Sequence, residues 1–277
     1  MSKTKPDFRR MLLWLPHSRQ DYAAVPIIAE LASLLGTDLV GTYVQDSSVP
    51  GLAGLPNARE FRAGRWHPSS SEQLAQDLAF AAREAERLFR QAAGRGGPAL
   101  AFNASDRFIA EGQEAGVDDI IVVIEPTSAI DRATHQFGES FKAAFRSSSS
   151  VLLIPGQARQ LSGPILVAAS HPEDPAIGTA LAVAATTRER LILIPLRAAT
   201  ETFSILLKTA RASGLVISVA DAVFHDGDIL LPAHLRGGLL IMSRRPTLER
   251  PTLSQVPILL VSSRLSPPGT EICDPKT

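Results

Sequence analysis

Two uninterrupted apolar runs, Ile120-Ile121-Val122-Val123-Ile124 and Val151-Leu152-Leu153-Ile154, bound the stretch 119–156 and limit what this chain can become. Both have the length and composition of strands, with no polar position to turn toward water. Each therefore reads as a strand covered on both faces. Pro155-Gly156 stops the second run, and a polar turn after the first leads into Phe137, Phe141, Ala144 and Phe145 at helical spacing. Strand, helix and strand, with both strands covered, is the pattern of a parallel α/β sheet. In open sheets of that class ligands bind in the loops that leave the carboxyl ends of strands. The loop from Glu125 to Gly138 is therefore where a binding or active site is expected, if the chain has one.

The rest of the chain repeats the same alternation. Met11 to Leu15 reads as a first buried strand, with Asp21 as N-cap of a helix running through Val25, Ile28, Ala29, Ala32 and Leu35 to Gly36. Leu39 to Val44 is a second strand, and a long Pro/Gly-rich connection, Gln45 to Ser71, follows. Ser71 is the candidate N-cap of a long helix with Leu74, Leu78, Ala81, Ala85, Leu88 and Phe89 on one face. Ala99 to Asn103 is a weaker third strand, Ser105 to Gly116 a short helix, and 119–156 supplies the fourth and fifth strands. The pattern then restarts with Ile165 to Ala169, Leu191 to Ile194, Leu215 to Val219, Leu239 to Met242 and Ile258 to Val261, with a helical turn expected over Leu230 to Leu235. Laid without gaps on HSRQDYAAVPIIAELA, the segment SHPEDPAIGTALAVAA aligns Asp174 with Asp21 and Ala176 with Ala23. The chain thus reads as a duplication at domain scale, divided into 1–158 and 159–277. The second copy is shorter and lacks the helix between its last two strands.

Bulk properties exclude several classes. Lys plus Arg and Asp plus Glu are 28 each, so no basic excess argues for nucleic acid. The single cysteine, Cys273, excludes a disulfide framework and a cysteine-built zinc site. The apolar run after Arg9-Arg10 ends at Pro16, too short for a signal core or a membrane span, and no other stretch approaches membrane length. A cytoplasmic protein is the expectation.

At the level of motifs the chain resembles the universal stress protein family, in its tandem form. MLLWLPHS stands where the family has a strand followed by VDGS. Asp119-Ile120-Ile121-Val122-Val123 matches its fourth strand, Ser150 to Pro155 its closing PVLVVP, and LPNAREFRAGRW a loop of tandem members. The resemblance implies two tandem doubly wound, adenine nucleotide alpha hydrolase-like α/β domains with mainly parallel five-stranded sheets, the second abbreviated. It also implies that Val151–Ile154 and Ile258–Val261 pair edge to edge within the chain. It places a ligand cleft at Pro16, His17, Ser18, Val44, Ser128 and Gly138 in the first half. In the second half the corresponding residues are Ser170, His171, Ser243, Arg244 and Arg245.

Nucleotide-binding members carry Gly-x2-Gly-x9-Gly-Ser/Thr after the fourth strand, where glycines admit phosphates to the backbone and a helix N-terminus favours their charge. Anchored on Gly138, that spacing puts Glu125 and Ser128 at the first two glycines and Glu139 at the Ser/Thr; anchored on Asp119, it puts Ile124 at the first. No glycine lies between Gly116 and Gly138. A carboxylate roughly 5 Å from a phosphate opposes it by about 3 kcal/mol at an effective dielectric of about 20. The family's adenine-side aspartate is replaced as well, by Pro16-His17-Ser18 in one half and Ser170-His171-Pro172 in the other. No cofactor is expected, and ATP is disfavoured.

Other constellations are weaker. Arg244-Arg245 follows a strand's carboxyl end and reads as an anion site or, more simply, a solvated turn. His17 and His171 lack a metal-spaced partner and read as turn residues. His225-Asp226-Gly227-Asp228 reads as a turn. Trp66, among arginines, reads as packed on its own domain or as facing a partner. No G-x-S-x-G or other catalytic constellation occurs. The expected function is a non-enzymatic regulator or scaffold, with an unidentified protein partner or a homo-oligomer possible. The alternatives are a sensor for a nucleotide or other small anion in an altered cleft, and an enzyme built on His17 and the long loop.

Overall fold

The computed structural model describes residues 8–15, 19–44, 51, 53, 55, 57–94, 97–105, 115–156, 158, 161, 163–196, 200–220, 223–225, 228–230, 238–244 and 256–262. The first half contributes β1 (Arg10–Trp14), α1 (Val25–Leu35), β2 (Asp38–Val44), β3 (Arg59–Arg62), β4 (Arg65–Pro68), α2 (Ser71–Ala93), β5 (Leu100–Ser105), β6 (Asp119–Glu125), α3 (Ala129–Arg132), α4 (His135–Arg146) and β7 (Ser150–Pro155). The second contributes β8 (Ile165–Ala169), α5 (Pro175–Thr187), β9 (Leu191–Pro195), α6 (Ser204–Ala212), β10 (Ile217–Val219), β11 (Val223–His225), β12 (Asp228–Leu230), β13 (Leu239–Ser243) and β14 (Ile258–Val261).

Ten of these strands form one sheet in the order β10-β9-β8-β13-β14-β7-β6-β1-β2-β5. Every neighbouring pair is parallel except β14 and β7, which run antiparallel at the centre, with Ile258 opposite Leu153, Leu259 opposite Leu152 and Leu260 opposite Val151. Read outward from that seam, both sides have the same winding. The first strand of each half lies in third place, its second and third strands extend outward, and its fourth and fifth lead back to the seam. The two runs expected to meet therefore do so, and each covers an edge that the other would leave open.

The apolar runs are buried on both faces. Met11, Leu13, Ile120, Val122, Leu152 and Ile154 face a core shared with Ile165, Val167, Leu239 and Ile241 of the other half, beneath α1 and α5. Leu12, Trp14, Ile121, Val123 and Val151 face the opposite core, which Phe137, Phe141 and Phe145 of α4 help to cover. Each core crosses the seam without a break. On the first face α2 lies so close to β2 that a Cβ at Gly41 would sit 3.0 Å from the Phe89 ring. At the amino ends of their strands, Arg10 and Asp119 stand in register and form a two-pronged ion pair, 2.9 and 3.0 Å. That hydrogen bond raises the Arg10 pKa above its ordinary value.

Local details depart from the sequence reading in four places. Asp21 does not cap α1; it lies in a 3-10 turn, Arg19–Ala24, and the helix starts at Val25 with no side-chain cap. Ser70 rather than Ser71 caps the long helix, accepting from the Gln73 amide. The long connection contains an antiparallel hairpin, β3 with β4. Leu230, where a helical turn is expected to begin, instead ends a strand, Asp228–Leu230, paired with Val223–His225, and the rest of that turn, 231–235, lies outside the described residues. The expected gap between β13 and β14 and the tail with Cys273 fall outside the described residues, as does Arg245. Among the described residues no helix is long and apolar enough to cross a membrane, and no group of three acidic, histidine or cysteine residues is placed to hold a metal.

Candidate functional site

The winding of each half creates a switch point, where connections from adjacent strands leave in opposite directions and a crevice opens at the carboxyl ends. In the first half it lies between β1 and β6, in the second between β8 and β13. An aspartate enters both. Asp21 is 4% exposed, and its Oδ1 accepts from the Thr127 amide at 3.3 Å and the Thr127 hydroxyl at 3.2 Å. Asp174, also buried, accepts from the Ala176 amide at 3.1 Å as the N-cap of α5 and from the Ser170 amide at 3.3 Å. Ser243, the last residue of β13, donates its hydroxyl to the same carboxylate. Each switch point is thus spanned by a bond from the segment after the first strand to a hydroxyl at the end of the fourth.

In the first half the loop beyond β6 is held from several directions. Arg132 Nη1 donates to the carbonyls of Pro126 and Thr127, at 3.0 and 3.2 Å. Ser128 caps the short helix α3 by accepting from the Ile130 amide at 3.2 Å. The end of β7 presses on the same loop from below. A Cβ at Gly156 would lie 2.3 Å from the Glu125 carbonyl oxygen and 2.7 Å from Thr127 Oγ1, so only glycine fits there. Thr134 caps α4 through the Phe137 amide, and Glu139 forms an ion pair with Lys142 at 2.9 Å on the helix surface.

The second cluster joins the halves. Arg244, just beyond β13, reaches the C-terminus of α4 in the other half. Its Nη1 donates to the Ser147 and Ser149 carbonyls at 2.6 and 2.7 Å, and its Nη2 to the Phe145 carbonyl. Its guanidinium carbon is 5.8 Å from the centre of the Phe145 ring. The last carbonyls of a helix lack intrahelical donors and carry partial negative charge, so a cation is well matched to them. Burial lowers the Arg244 pKa. Ser262 adds a second tie, donating its amide to Ser150 Oγ at 3.0 Å and its hydroxyl to the Ser148 carbonyl at 2.7 Å.

No family model and no curated protein matches this sequence. Among solved structures, a universal stress protein from Archaeoglobus fulgidus DSM 4304 superposes with a TM-score of 0.59 at 12% identity, over 91% of this chain and 96% of that one. The chain has the universal stress protein fold. Looser similarities are to a functionally unknown protein from Pseudomonas aeruginosa PAO1, with TM-score 0.47, 13% identity and 94% of each chain covered. A universal stress protein in complex with cAMP gives a TM-score of 0.33 at 13% identity, over 54% of this chain and 98% of that one.

Within this fold those of the residues singled out from sequence that are described do not gather at one point. Val44 ends β2, half-buried against the core, and Ser128 is engaged as a cap. Gly138 lies inside α4 with open space where its Cβ would be, so its position makes no use of glycine's small size. Ser170 and Ser243 meet at Asp174, whereas His171 is exposed beside them. Arg244, read as an anion site or a solvated turn, instead holds the Phe145 carbonyl in the last turn of α4 and the Ser147 and Ser149 carbonyls just beyond it. Pro16, His17, Ser18 and Arg245 lie outside the described residues. Sequence reasoning missed Thr127, Gly156 and the role of the two aspartates. The aligned pair Asp21/Asp174 was the available signal, being the one charged identity between the aligned segments.

Proposed function

We propose that this chain is a non-enzymatic regulator or scaffold with the universal stress protein fold, and that it does not bind ATP through a glycine loop. The observation that carries the reading is the Asp21–Thr127 contact at the first switch point. A phosphate cradle needs backbone amides that are turned outward and lack an internal acceptor. Here the Thr127 amide already serves a buried carboxylate, whose charge would also repel a phosphate. Ser128 and Thr134 use their hydroxyls on local amides, and no glycine occurs from 117 to 137 to let the backbone approach a ligand. The equivalent aspartate in the second half, Asp174, takes up the Ser243 hydroxyl in the same manner.

Isothermal titration of the full chain with ATP, ADP, AMP and cyclic nucleotides tests this reading. No heat of binding at micromolar ligand is expected. Saturable micromolar binding of any of them would replace it with that of a nucleotide sensor. Nucleotide or ester turnover that is lost in His17→Ala would replace it with an enzyme.

A further inference from the structure

Between α1 of the first half and α5 of the second lies a cavity of about 290 Å³. That is near the small end of the range for sites that hold small molecules. Ile165 and Leu239, the first residues of β8 and β13, line it, so it sits at the amino ends of the strands. The switch points lie at the carboxyl ends, and a ligand held here would not compete with one there. Leu31 and Leu34 of α1, Leu161 of the connection between halves, and Val183 of α5 complete an apolar wall drawn from both halves.

Among the described residues of that wall the charged groups are two carboxylates, Glu30 and Glu189, both exposed. Neither forms an ion pair with a described residue. Arg188 and Arg190, exposed on either side of Glu189, pair with neither carboxylate and do not line the cavity. Thr187 is already engaged: its hydroxyl donates to the Val183 carbonyl at 3.0 Å and accepts from the Glu189 amide at 3.3 Å. Both helices end at the cavity, α1 just past Leu34 and α5 at Thr187, and neither has a basic residue in its last turn. A helix C-terminus carries partial negative charge and favours a cation. We propose that the cavity binds a small organic cation, an alkyl- or arylammonium ion. Its apolar body lies against Leu31, Leu34, Val183 and Leu239, and its ammonium group meets Glu30 and Glu189. An anion of the same shape would face both carboxylates and both helix ends, and a neutral one would forgo the charge contact.

Titration of the full chain, followed by amide chemical shifts, provides the test with three probes of one body and different charge: 2-phenylethylammonium, 2-phenylethanol and 3-phenylpropanoate. The ammonium ion is expected to give saturable shifts centred on the amides of Leu31, Leu34, Val183 and Leu239. The alcohol should bind more weakly and the carboxylate not at all. Glu30→Gln and Glu189→Gln should each weaken the ammonium ion by roughly two- to fivefold, the range for an exposed charge contact, and the double variant by more. Both side chains are exposed, so the fold and its far-UV circular dichroism should not change. Leu34→Trp, at a half-buried position of the wall, should block all three probes by filling the cavity. The proposal is overturned by a chain that shows no saturable shift up to the solubility of the ammonium ion. Equal binding of the three probes, shifts centred elsewhere, or an affinity indifferent to both glutamate substitutions would each overturn it as well.

Discussion

Asp21 shows how a single residue changes its meaning once its neighbours are known. As a sequence feature it is a good helix cap; in the fold it is buried and takes both donors of Thr127, a residue 106 positions away. A buried carboxylate requires such donors. Asp21→Ala would leave them without a partner and is expected to cost about 1–3 kcal/mol of stability, measured by urea denaturation. Wild-type stability in that variant would remove the contact from the description of the switch point. Tyr22, its neighbour, gives a pH-dependent expectation. Burial, then Tyr43 and Glu84, raise its pKa above the ordinary tyrosine value. The folded state therefore keeps the phenolic proton where the unfolded chain loses it. The resulting stability is complete below about pH 10 and declines above it, by at most about 1.4 kcal/mol per pH unit. Tyr22→Phe should flatten that alkaline decline, as read from denaturant midpoints on either side of about pH 10.

Among elements, the buried strands were legible because burial on both faces leaves a continuous apolar run. Ile120 to Ile124 and Val151 to Ile154 lie within β6 and β7. The hairpin was not legible. Its turn, Arg62-Ala63-Gly64-Arg65, has positive φ at both central residues, 48° for Ala63 and 79° for Gly64. Such a two-residue turn usually announces itself by Asn-Gly or Asp-Gly, and alanine in that place hides it. Left-handed backbone costs a residue with a Cβ about 1–2 kcal/mol. Ala63→Gly is therefore expected to stabilise the hairpin by about 1 kcal/mol, seen as slower hydrogen exchange of its cross-strand amides; faster exchange would contradict the assigned turn. The helix α4 was legible from its phenylalanine spacing, whereas the cation at its C-terminus was not. Arg244 lies 95–99 residues beyond the carbonyls it holds.

At the scale of the whole molecule, the antiparallel seam and the two shared cores make the halves one cooperative body. A single calorimetric unfolding transition is expected, with Arg244→Ala lowering the stability of the entire chain by about 2–4 kcal/mol, because it strips charged hydrogen bonds from the carbonyls of Phe145, Ser147 and Ser149, in the last turn of α4 and just beyond it. Two resolved transitions, or loss confined to one half, would show that the seam does not couple them. The sequence alone determined the α/β class, the positions of the buried strands and the repeated strand–helix order. Those depend on periodicity and on which side chains avoid water, and both are local properties. The tertiary structure decided the order of strands across the seam, the contacts of Asp21 with Thr127 and of Asp174 with Ser243 at the two switch points, and the use of Arg244 as a clasp between halves. These depend on groups far apart in the chain, where a donor finds its acceptor only after the sheet has brought them together.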